Sequence, residues 1–160
     1  MSMNEFSGVL WRERQLLDLL LFKLEEEQLI LTSGRTQWLG HATREVEAVL
    51  AQIREAELGR AMEADEAARE VGVEPGSSLL TIAAHAPSPW RDVLTQHHQA
   101  FVTLTEQINA LAEGNRELLA TSHRAAQETL LSIQESVQTY DPRGAAAATA
   151  GAATVLDQAL

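Results

Sequence analysis

Five histidines and a run of three glutamates are the residues of this chain best suited to chemistry. His41, His85, His97, His98 and His123 are potential metal ligands, but no two stand three or four residues apart, so no helix face presents a pair. The chain has no Cys, no HExxH and no Glu with a His three residues after it. A thiolate site, a helical zinc site and an inward-facing carboxylate metal site are all unexpected on these grounds. The run Glu25-Glu26-Glu27 invites an acid/base reading. Adjacent helical positions point about 100° apart, so the three carboxylates diverge and read as a solvated face. Neither GxGxxG nor GxxxxGK[ST] occurs, so no phosphate-cradling loop is expected. The expectation is a protein with no catalytic constellation, no metal and no cofactor, hence not an enzyme.

The chain has 160 residues and a net charge of −11. Nucleic acid and anionic membrane are both polyanions and need a basic patch, and no window gathers one, so neither is an expected partner. Trp11, Trp38 and Trp90 each fall near the start of a helical segment, where they are expected to anchor a bundle end rather than stack a base. The N-terminus lacks the basic start and long apolar run of a signal peptide, and Leu19-Leu20-Leu21-Phe22 is far short of the roughly 20 residues of a membrane span. With no Cys, a reducing cytoplasm is the expected location.

The elements that hold these residues are helices. Apolar residues make up 45% of the chain but aromatics only 4%, so Leu and Ala must do the packing. The four prolines, Pro75, Pro87, Pro89 and Pro142, divide the chain into two long Pro-free blocks, a connector and a tail. In the first block Phe6, Leu10, Leu17, Leu20, Leu21, Leu24 and Leu31 recur at helical spacing, with Arg12, Glu13, Asp18, Glu25 and Glu26 off the stripe. Ser33-Gly34 either ends this helix or kinks a continuous one. Leu39, Ala42, Val46, Val49, Ile53 and Ala56 then follow at heptad spacing, and Gly72 stands where a C-cap belongs.

In the connector, Ser77 or Ser78 caps a short helix that covers a bundle end. The second block carries a seam through Leu94, His97, Phe101, Leu104, Ile108, Leu111, Asn115 and Leu118. The seam slips by one at Leu119, then continues through Ala126, Leu130, Ile133 and Val137, with a bend expected near Gly114. The fold expected is all-α: an elongated antiparallel bundle of three to four long helical segments with a short connector helix. Residues 1–140 form this bundle, and the Ala-rich residues 141–160 are expected to be a disordered tail.

Two readings stay open for Asn115 on its apolar seam: a register-fixing polar residue, or a hydrogen-bond donor to a partner's backbone. Two also stay open for Leu118, Leu119, Leu130, Ile133 and Val137: core packing, or an apolar groove for a partner helix.

The stretches "GNRELL" (114–119) and "AQETLLSIQESVQTYDPRG" (126–144) resemble the flagellar export chaperones of the FlgN family. The matching positions are Asn115, Leu118 and Leu119, then Tyr140, Asp141 and Gly144. The Leu-rich opening "LLDLLLFKLEEEQLIL" and the later "EVEAVLAQIREAE" are similar in kind. The resemblance implies a cytoplasmic chaperone that binds the hook–filament junction proteins FlgK and FlgL and delivers them to the type III secretion gate. It implies client binding in the C-terminal part and a gate contact at Tyr140. Such a chaperone is expected to be a monomer or dimer when free. The Ala-rich tail departs from the polar tail of the family. A self-assembling coiled-coil scaffold is the alternative that long heptads suggest.

Overall fold

The computed structural model describes residues 2–140. Among them there are four α-helices and no strand: α1 (Ser2–Ser33), α2 (Leu39–Val71), α3 (Leu79–His85) and α4 (Trp90–Tyr140). The chain divides into two compact units, Met1–Arg116 and Glu117–Leu160.

The first unit is a three-helix bundle. Ser33-Gly34 ends α1 rather than kinking it. Gly34 takes the left-handed conformation (φ 73°), its N–H reaches the Leu31 carbonyl, and a single 3₁₀ turn at Thr36–Trp38 leads into α2. At 32 and 33 residues, α1 and α2 are matched arms of an antiparallel hairpin. Cross-links at both ends show the direction: Glu13 meets Arg60 near one end, and Lys23 meets Glu45 toward the other. The first part of α4 lies parallel to α1, since Ser7 meets His97 and Leu24 meets Asn115.

The caps follow the local chemistry. Gly72 sits at φ 78° beyond α2, its N–H reaching Arg69 O, while Val73 N donates to Ala68 O. Ser78 caps α3 by accepting from Thr81 N at 3.2 Å. That short helix then presses Ile82 and Ala83 onto Met3, Phe6, Leu10, Ala67, Ala68 and Leu94, closing one end of the bundle. A second cluster, Leu20, Leu24, Val49 and Ile53 with Ile108 and Leu111, fills the bundle further along. Residues of α1, α2 and α4 supply all of the second cluster, whereas Ile82, Ala83 and Ala86 add the α3 side of the first.

Two glutamates depart from expectation. Glu13 and Glu27, both expected on a solvated face, are only 4% and 6% exposed. The reason is visible in the spacing: Met3, Phe6, Leu10, Glu13, Leu17, Leu20, Leu24, Glu27 and Leu31 form one unbroken seam of alternating three- and four-residue steps. Both glutamates occupy seam positions, and each has a partner across the bundle.

Trp90 packs at the closed bundle end as expected. Trp11 and Trp38 do not: they are 51% and 50% exposed. Trp11 lies inside α1, edge-on to His97 at 5.1 Å between ring centroids, and Trp38 lies at the α1–α2 turn. α4 continues as helix through Gly114. A Cβ there would stand 3.8 Å from the tip of the Gln28 side chain, an ordinary contact, so the packing against α1 does not require glycine.

Candidate functional site

Polar residues form cross-links inside the first unit. Glu13 Oε2 stands 3.2 Å from Arg60 Nε, but at an angle that makes an ion pair without a hydrogen bond. Burial pushes the Glu13 carboxyl up; the Arg60 charge opposes this and Glu57 adds to it. Arg60 also lies over the Phe101 ring at 5.9 Å. His97, 1% exposed, is held by Ser7 Oγ at Nε2 (3.2 Å) and by Arg14 Nη1 at Nδ1 (3.3 Å). Arginine has only donors, so Nδ1 accepts and Nε2–H donates to Ser7: the ring is neutral. Burial lowers the His97 pKa, and the Arg14 charge lowers it further.

The sign of the resulting pH dependence follows. The unfolded chain takes up a proton at His97 as pH falls through 6.5, while the folded protein resists until lower pH. Stability from this site is therefore present above about pH 6.5 and is lost as pH falls toward the depressed folded value. Glu13 works in the opposite sense. Its raised folded pKa means that the folded state protonates first as pH falls toward 4.5, which adds stability. Urea unfolding of the wild type is expected to show a midpoint that falls as pH is lowered from about 6.5 to 5.5, a fall that His97→Gln flattens. An equal slope in both proteins would contradict the neutral-ring assignment.

Asn115, 2% exposed, joins α4 to α1. Its Nδ2 donates to the Leu24 carbonyl at 2.9 Å and to Glu27 Oε1 at 3.0 Å, while Thr43 Oγ1 of α2 donates to Glu27 Oε2 at 3.3 Å. One polar layer thus ties all three helices. The Asn115 Oδ1 is buried with no partner among the described residues. These contacts are those of a register-fixing residue in the core of the first unit.

The other candidates lie in the second unit. Leu119, Ala126, Leu130, Ile133 and Val137 are spaced so that all fall within about 60° of one another around the helix. Glu117, Arg124, Glu128 and Glu135 line the opposite side. Leu118, Leu119, Ala126 and Leu130 are half-buried. Ile133 and Val137 are 54% and 39% exposed, and Leu131, to one side, is 59% exposed. Thr121, Thr129 and Ser136 turn their hydroxyls back onto carbonyls of their own helix, at 2.9, 2.9 and 3.0 Å. These hydroxyls are satisfied within the helix, leaving the apolar stripe open. Tyr140 closes α4, and its side chain, with Asp141, Gly144 and the rest of 141–160, lies outside the described residues.

One cluster was not visible to a scan of His spacing. Carboxylate oxygens of Glu5, Glu63 and Glu66 converge within 4.8 Å, without a His among them. Burial, then the charges of Glu5 and Glu66, push Glu63 up. Among the described residues no helix is long and apolar enough to cross a membrane.

The first unit is a polar-pinned three-helix bundle, and the second carries an open apolar helical stripe of the kind an amphipathic helix can cover. The model of the FlgN protein family matches residues 1–148. This chain belongs to the FlgN family. That is the family of flagellar export chaperones, and the match spans every residue described above. No curated protein and no solved structure matches the chain. For a FlgN-family chain, the arrangement places a rigid polar-pinned bundle in one unit and an exposed apolar stripe in the other. The chemistry available to that stripe is burial of apolar surface against a partner, with backbone groups already paired inside the helix.

Proposed function

We propose that this FlgN-family chain is a cytoplasmic chaperone for the hook–filament junction proteins FlgK and FlgL. It holds them soluble and presents them to the flagellar type III secretion gate. The observation that carries the client contact is the exposed stripe ending in Ile133 and Val137, on a chain matched to this family along residues 1–148. An amphipathic client helix laid along Leu119, Leu130, Ile133 and Val137 buries what is now in water, with Leu118 at the margin. Asn115, buried in the first unit where it anchors α4 on α1, is left out of this proposed surface. Tyr140, with Asp141 and Gly144, is the proposed contact with the export gate, in keeping with the "YDPRG" resemblance. The net charge of −11 suits a carrier that must not self-associate, and a monomer or dimer is the proposed free state.

Deletion of the gene from a flagellated host tests this reading. The junction proteins are expected to disappear from the culture medium, with motility lost. Normal export and motility would overturn it.

A further inference from the structure

Between Glu27 and Glu45 the chain has no carboxylate side chain, yet it has Arg35, His41 and Arg44. In a chain of net charge −11 this is a local reversal of sign. The fold gathers these residues at the turn between α1 and α2. Trp38 N donates to the Arg35 carbonyl at 3.1 Å, which closes the 3₁₀ turn. The Trp38 and His41 rings stand 5.8 Å apart, and Arg44 Nη2 lies 3.2 Å from His41 Nδ1. Arg44 also lies along Gly40, with Nη1 3.7 Å from where a Cβ would be. Arg35, His41 and Arg44 are exposed, and neither arginine joins an ion pair among the described residues. Trp38 is 50% exposed and makes no side-chain cap for α2. Leu29, one turn back along α1, is 69% exposed.

We propose that this tip docks an acidic peptide segment of a partner protein, with Trp38 covering an apolar side chain and Arg35 and Arg44 taking carboxylates. Three arguments favour that occupant. Guanidinium groups match carboxylates in paired, planar hydrogen bonds, and two arginines outside any ion pair beside an exposed Trp reproduce the residue types enriched at binding hot spots. A short peptide feels charge only within a Debye length of about 8–10 Å, and the nearest acid in sequence, Glu45, is already paired with Lys23 at 3.0 Å, so the tip presents the charge of Arg35 and Arg44. An anionic membrane is a poorer fit. Each basic side chain near a membrane surface contributes only about 1 kcal/mol, and stable recognition takes about four to eight of them. The tip shares no residue with the α4 stripe, so this inference stands apart from the client reading.

The test is fluorescence anisotropy on the full-length protein with two labelled synthetic peptides of about fifteen residues. One is Glu-rich with a single Leu, so that it offers the α4 stripe no apolar helical face, and the other carries Gln for every Glu. Binding of the acidic peptide is expected, weakening as salt rises. The double variant Arg35→Gln/Arg44→Gln is expected to weaken it about tenfold or more, and Trp38→Ala to a similar degree. Arg124→Gln, a basic residue elsewhere, is expected to leave it unchanged. Circular dichroism confirms that each variant is folded. No binding, equal binding of the Gln peptide, or indifference to the Arg35/Arg44 variant would each overturn the proposal. So would retention on anionic vesicles that depends on Arg35 and Arg44 while the peptide does not bind, since that result makes the tip a membrane contact.

Discussion

Ile133→Asp combined with Val137→Asp is expected to abolish capture of the junction proteins while leaving the bundle as stable as before. Both side chains are open in the free protein, at 54% and 39% exposure. Exposed positions of this kind contribute within about 0.5 kcal/mol to folding, so thermal unfolding should shift by only a degree or two. In a complex the same two side chains would be buried, each worth about 1.5–3 kcal/mol. A carboxylate in place of each adds a desolvation cost. Together these amount to a loss of about 100-fold or more in affinity. Titration calorimetry with a purified junction protein measures it. Glu128→Gln, on the opposite face of the same helix, is the control and should bind normally. Loss from the Glu128 variant alone, or undiminished binding by the double variant, would show that the contact lies elsewhere.

Asn115→Leu is expected to be among the most destabilising single changes in the first unit, at about 2–4 kcal/mol in urea unfolding. The change removes both hydrogen bonds from Nδ2. It leaves the Leu24 carbonyl and one oxygen of the Glu27 carboxyl without that donor in a place water does not reach. Glu27→Leu strands Asn115 in turn, and Thr43 loses its acceptor. The double variant Glu27→Leu/Asn115→Leu has neither group to strand, and its seam becomes continuous in Leu. Its loss should therefore fall well short of the sum of the singles, by about 1–3 kcal/mol of coupling. It should also reduce the uniqueness of register, seen as broader unfolding or a change in oligomeric state. Strict additivity would mean that Asn115 and Glu27 do not act as one layer.

Much of this fold is legible in the alternation of threes and fours. Leu94 through Leu118 on α4, and Ala42, Val49 and Ile53 on α2, are where heptad spacing puts them. Gly72 read correctly as a cap, and of the two serines left open Ser78 is the one that caps α3, because side chains, or lack of one, solve a local backbone problem at these positions. Glu13 and Glu27 did not read correctly. Hydropathy marks them as surface, and only Arg60, Thr43 and Asn115, remote in sequence, make their burial tolerable. The unbroken spacing from Met3 to Leu31 was the signal available for them. Ser33-Gly34 was ambiguous because a seam of the same period runs on both sides of it. What decides the break is the return of α2 along α1. The α4 stripe shows the deeper limit. Leu130, Ile133 and Val137 repeat as faithfully as the buried residues upstream, and periodicity alone does not distinguish a covered stripe from an open one. Exposure separates them, and only the folded unit reveals it.

Light scattering coupled to size exclusion tests the central claim most directly, on the full-length protein alone and then mixed with an equimolar junction protein. A client-binding chaperone predicts a monomer or dimer alone and a new, discrete complex in the mixture. High-order assemblies of the protein alone, with no complex in the mixture, would contradict it and make the open stripe the seam of a self-assembling scaffold.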